Sequence, residues 1–266
     1  MESLSTKPAL CLKDFFKEYY YLCLKAENDN NTIPIIDDCS YDLVFFKQAS
    51  AKLIFGPFKK SLSCNYKLFT VHMRTPPYRV IYDKELTFFT IKSQPWFNGY
   101  FFSHLERHGV IDLTDSNILS STFTSEILNA STPQELFKLT DNYFLSNKMK
   151  FSKKIELVKK ICDYIIINKG LVSIENISQH FNRSRQYLNK IFKEEVLYSL
   201  KKFTTSVRIL HLARFKIKHP STPLTAITYR YNYFDQSHFI KDFRSICGVK
   251  PKQFFDNIPE FLMRHQ

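Results

Sequence analysis

Residues Pro223–Phe254 read PLTAITYRYNYFDQSHFIKDFRSICGVKPKQF. Leu224, Ile227 and Tyr231 recur at the spacing of one helical face, and Pro223 stands where a helix begins. Four residues, Asn232 to Asp235, interrupt the run. Asp235 is placed to cap a second helix, in which Phe239, Phe243 and Ile246 again share a face. Gly248 ends that helix and Pro251 prevents its resumption. Two short helices around a tight turn make a helix-turn-helix. Away from the aromatic seam, the second helix carries Gln236, Ser237, His238 and Lys241. These side chains donate and accept hydrogen bonds, as contacts to base edges in a major groove require.

Upstream the same arrangement recurs. Ile155–Asn168 predicts a helix with Ile155, Val158, Ile161, Ile165 and Ile166 inward, and Gly170 fits its end. Ser173 caps a helix bearing Ile174, Ile177 and Phe181 on one face. Asn182-Arg183 turns, and Ser184 caps RQYLNKIFKEE, whose inner residues are Leu188, Ile191 and Phe192. Between the two motifs, Leu200, Phe203, Val207, Leu210 and Ile217 mark one long helix. About eighteen residues give roughly 27 Å. That fits a strut holding two recognition helices one duplex turn, roughly 34 Å, apart.

Charge points to the same half. Residues 1–150 hold 17 Lys+Arg against 16 Asp+Glu, whereas 151–266 hold 21 against 9, so nearly all of the net +13 follows residue 150. A polyanion is the natural partner of such a surface, because each phosphate neutralised releases condensed counterions.

The Tyr233–Phe254 segment resembles the second helix-turn-helix of AraC/XylS-type transcription regulators. Tyr233, Asp235, Gln236, Ser237, Phe239, Phe243, Arg244, Gly248, Pro251 and Phe254 fit the signature. Asn232 replaces the turn glycine, and Asn tolerates the left-handed backbone. Ser173, Ile177, Ser184, Leu188, Phe192 and Lys193 resemble the family's first reading head. There Ser178 stands for a small alanine, Asn182 for a glycine, and Leu197 for the glycine after the recognition helix. Arg208 resembles a family arginine on the connecting helix. By resemblance and exposure, Arg185, Gln186, Asn189 and Lys190 read one major-groove segment, and Gln236, Ser237, His238 and Lys241 read the next. Ser173, Arg183, Ser184, Lys193, Arg244 and Lys250 are expected against phosphate. The resemblance implies double-stranded DNA and RNA polymerase as partners and a homodimer or small-molecule effector acting through the N-terminal part. It also implies a place at the nucleoid of a bacterial cytoplasm.

The N-terminal part reads as β-rich. PALCLKDFFKEYYYLCL (8–24) is expected to give a short helix and then a strand. Tyr41–Lys47 and Ala51–Pro57 are apolar runs on either side of polar Gln48–Ser50, and Lys67–Met73 alternates. Tyr78–Tyr82 and Glu85–Lys92 flank Asp83-Lys84, which predicts a hairpin. The fold class expected is α+β in two domains: a small antiparallel barrel or sandwich, cupin-like and carrying helices, then an all-α double helix-turn-helix. The expected boundaries are 1–115 for the β-rich sensory part, 116–146 for a helical, dimerising region, and 153–258 for the DNA-binding part. Thr132-Pro133 with Glu135 is a helix start. An interior lined by Phe, Tyr and Trp96 holds a small apolar effector or is filled by its own side chains.

Other classes lack their signatures. His104 and His108 in HLERH do not form the H-E-x-x-H zinc motif, and the expected strands add only His72, so no metal and no cofactor are expected. Six scattered cysteines without a C-x-x-C pair read as reduced thiols. No apolar run reaches membrane-spanning length, and MESLSTKPAL lacks a secretory pattern, so a cytoplasmic protein is expected. A DNA-repair enzyme borrowing this module needs an activated cysteine; no Pro-Cys-His triplet occurs, and Cys64 lies in SLSCNY, so no enzyme is expected. A non-specific architectural DNA binder is the other alternative.

Overall fold

A computed structural model describes residues 2–25, 31–55, 60–63, 66–72, 78–105 and 109–256. The N-terminal part contains strands β1 (Glu2–Thr6), β2 (Phe16–Lys25), β3 (Asn31–Ile35), β4 (Asp42–Phe55), β5 (Lys60–Ser63), β6 (Leu68–His72), β7 (Tyr78–Ser93) and β8 (Gly109–Asp112). A 3₁₀ turn at Leu10–Leu12 precedes β2, as the aromatic stretch predicted. All pairings are antiparallel, in the order β1-β2-β7-β4-β6-β8, with β3 also on β7 and β5 also on β4. Among the described residues this path does not close on itself, so the expected barrel is not formed by these strands.

The hairpin expected at Asp83-Lys84 and the gap expected at Gln48–Ser50 both lie within continuous strands. Tyr78–Ser93 is one strand, which exchanges β3 for β2 as its partner on either side of Asp83-Lys84. Asp42–Phe55 is likewise one strand, and its register against β7 shifts between Phe46 and Gln48 and between Ala49 and Ala51. The polar residues mark bends, because a bulge lets a strand turn without leaving the sheet. Pro57, Cys64, Met73 and His108 lie outside the described residues.

Alternation along the strands feeds two cores, since successive side chains point to opposite faces. Tyr20, Leu22, Leu24, Phe46, Phe69, Val80 and Leu86 form one cluster. Tyr19, Leu43, Phe45, Phe89 and Ile91 face the other way, into a larger one. That larger cluster includes α1 (Asn98–Phe102), α2 (Ser121–Asn129), α3 (Pro133–Ser146) and α4 (Lys153–Ile167), and it continues without a break to Phe192 and Phe203. Thr132 caps α3 by accepting from the Glu135 N–H, while the Glu135 carboxylate accepts from the Ser131 N–H. Trp96 is held at the edge of this core by the helices. It packs in the larger cluster, donates to the Asp14 carbonyl at 2.7 Å, and lies under the Lys159 ammonium of α4.

The remainder is helical: α5 (Ile174–Phe181), α6 (Arg185–Glu195), α7 (Leu200–Lys218), α8 (Leu224–Arg230), α9 (Gln236–Cys247) and α10 (Pro251–Asp256). A third cluster, with Ile209, Leu212, Ile227, Phe239, Phe243 and Phe254, joins the second half of α7 to α8, α9 and α10. Among the described residues no helix is long and apolar enough to cross a membrane.

Candidate nucleic-acid interface

Helices α5 and α6 form the first helix-turn-helix. The Ser173 hydroxyl accepts from the Asn176 N–H, and the Asn176 side chain accepts from the Ser173 N–H, a reciprocal cap. The turn needs a left-handed residue, and Asn182 supplies it at φ 49°. Ser178, where a smaller residue was expected, has a role of its own: its hydroxyl donates to the Arg183 carbonyl at 2.6 Å across the turn. Ser184 caps α6 through the Tyr187 N–H. Leu188, Ile191 and Phe192 are buried, which turns Arg185, Gln186 and Lys190 outward. Leu197 takes the left-handed exit at φ 64° in place of glycine.

Helices α8 and α9 repeat the design. Asn232 is left-handed at φ 57°, Asp235 accepts from the His238 N–H at 2.7 Å, and Gly248 closes α9 at φ 76°. Gln236, Ser237, His238 and Lys241 are exposed, while Phe239, Phe243 and Ile246 face the core. The Asp242 carboxylate accepts from Tyr233 at 3.2 Å and lies 3.5 Å from His238 Nε2. Burial and Asp242 push the Tyr233 phenol well above its usual range, so it remains a donor.

Helix α7, 19 residues or about 28 Å long, separates the heads. Its Arg208 ties them together. Nε donates to the Gly170 carbonyl of the α4–α5 turn at 2.9 Å, and the guanidinium lies over the Tyr233 ring of the second head. Gly170 makes this approach possible: a Cβ there would stand 2.5 Å from the Thr204 carbonyl of α7.

Of the expected base readers, seven are exposed and Asn189 is half-buried, its amide donating to the Arg185 carbonyl. Arg185 lies 3.4 Å from Glu175 across the first head, a contact that a base or phosphate would compete for. Of the expected phosphate contacts, Ser173 and Ser184 spend their hydroxyls on caps, and Arg183, Lys193, Arg244 and Lys250 are exposed. Tyr187 and Phe234, the latter 90 % exposed, lie among the polar readers and suit thymine methyl groups. Hydrophobic periodicity did not find them, because it assigns aromatics to the core. Among the described residues no group of His, Cys, Asp and Glu is arranged to hold a metal.

Residues 177–257 match the family model described as a helix-turn-helix domain. The multiple antibiotic resistance protein MarA of Escherichia coli (strain K12) is 26% identical over 98 residues, 36% of this chain and 76% of that protein. The lactose operon transcription activator of Staphylococcus xylosus is 29% identical over 128 residues, 46% of this chain and 45% of that protein. The crystal structure of ToxT from Vibrio cholerae O395 superposes at a TM-score of 0.47 with 15% identity, covering 92% of this chain and 98% of that one. Two capped heads on one strut, with this match across them, make the C-terminal part of the chain a helix-turn-helix domain of the AraC type, the DNA-binding module of a transcription regulator.

Proposed function

We propose that the chain regulates transcription by placing α6 and α9 in two adjacent major-groove segments of one operator. Arg185, Gln186, Asn189 and Lys190 read the first segment, and Gln236, Ser237, His238 and Lys241 the second. Arg183, Lys193, Arg244 and Lys250, with the capped N-termini at Ser173 and Ser184, hold phosphate. One observation carries this reading: both recognition helices present polar side chains from their first turns while a buried seam and Arg208 fix their separation. The relative named as a lactose operon transcription activator supports activation as the outcome. RNA polymerase is the partner that this outcome would need. Control by a small molecule or by homodimerisation belongs to the N-terminal part.

The test is selection of an operator from random duplex DNA, followed by titration over a salt series. The operator is expected to bind at least roughly 10³-fold tighter than random duplex. Both affinities should fall steeply with salt. Equal affinities would make the chain a non-specific binder.

A further inference from the structure

The two recognition helices are joined twice. One joint is α7; the other passes entirely through the N-terminal part. Val196 is the C-cap of α6, and its carbonyl accepts from the Asn98 side-chain amide at 2.9 Å. The same amide donates to the Cys39 carbonyl at 2.9 Å. The Cys39 N–H donates to Asp37 Oδ1 at 3.2 Å, and the Asp37 N–H donates to the Ile246 carbonyl, in the last turn of α9, at 3.3 Å. Asp37 also grips the strut. Its carbonyl accepts from Ser206 at 2.7 Å, and its carboxylate lies 3.3 Å from the Lys202 ammonium, both on α7.

This chain of bonds is buried and tight. Asn98, Asp37 and Cys39 are fully buried, and Cys39 takes the left-handed backbone at φ 59°. At Gly99 a Cβ would stand 2.4 Å from the Glu194 carbonyl of α6, so α1 sits on that helix with no room for a side chain. Helices of 11 and 12 residues behave as rods of about 16–18 Å, so fixing their C-terminal ends fixes where their reading ends point.

We infer that residues 37–39 and 98–99 form a bracket that sets the relative register of the two recognition helices, with Asn98 and Asp37 as positioning residues for operator spacing. The inference rests on the two-segment reading above. It makes the N-terminal part a determinant of which operators are accepted.

The experiment uses the full chain and the selected operator in three forms: with its own spacing, with one base pair added between the segments, and with one removed. Each segment alone is a further probe. Wild type is expected to lose roughly tenfold or more in affinity for a changed spacing, the scale of a mismatch. Asn98→Leu, which keeps the branched side-chain skeleton and removes the bonds, is expected to lose only roughly threefold or less, with affinity for either single segment unchanged. Ser206→Ala, a milder change, should move the same way and remains decisive if Asn98→Leu does not fold. Retention of the wild-type spacing preference in both variants overturns the bracket. So does a parallel loss on single segments, which marks a merely structural role. If wild type itself does not distinguish two segments from one, the two-head reading falls instead.

Discussion

Lys241 is exposed on α9 beside Gln236 and Ser237, where a base edge is the expected partner. Lys241→Ala should lose about 1–3 kcal/mol on the selected operator and much less on random duplex, measured by competition titration. An equal loss on both marks a phosphate contact. In the sheet, at the start of β4, Asp42 illustrates a different effect. Burial raises its carboxyl to about 6, although Lys92 stands 3.7 Å away and opposes the rise. The folded state therefore binds this proton more tightly than the unfolded chain, whose Asp titrates near 4. Stability falls as pH rises from about 4 to about 6 and stays reduced above. Asp42→Asn should thus stabilise the protein by about 1–2 kcal/mol at pH 7.5 and by little at pH 4, as denaturant titrations would show.

The elements of the helical half depend on short-range chemistry. Asp235→Ala removes the cap of α9 and should cost about 1 kcal/mol in unfolding free energy. Asn232→Gly should be tolerated, whereas Asn232→Val forces a β-branched residue to φ 57° and should cost about 1–2 kcal/mol. These helices were legible because caps, apolar spacing and left-handed stops all lie within a few residues of each other. Asn182 and Leu197 kept the expected turn geometry although glycine is absent from both. The sheet was less legible. Asp83-Lys84 read as a reversal and Gln48–Ser50 as a gap between two apolar runs, yet pairing with their neighbours carries β7 and, through register shifts, β4 across them as single strands. Strand continuity is decided by neighbours distant in sequence, which no local window contains.

At the scale of the molecule, the least legible feature is the one that joins its parts. Asp37 and Ser206 meet across 169 positions, and Asn98 and Val196 across 98, with nothing in local pattern to announce either contact. Trp96 shows the same limit: its bulk marked it as core, but only the fold assigns it to the seam against α4. The net charge, by contrast, located the polyanion-facing half without any structure. Together these contacts make one body in which both candidate recognition helices expose their first turns while their far ends rest on the N-terminal part. Hydroxyl-radical footprinting of the full chain on its selected operator tests this arrangement most directly. Two protected blocks on one face of the duplex, roughly one helical turn apart, are predicted. A single block, or uniform protection indifferent to sequence, would contradict it.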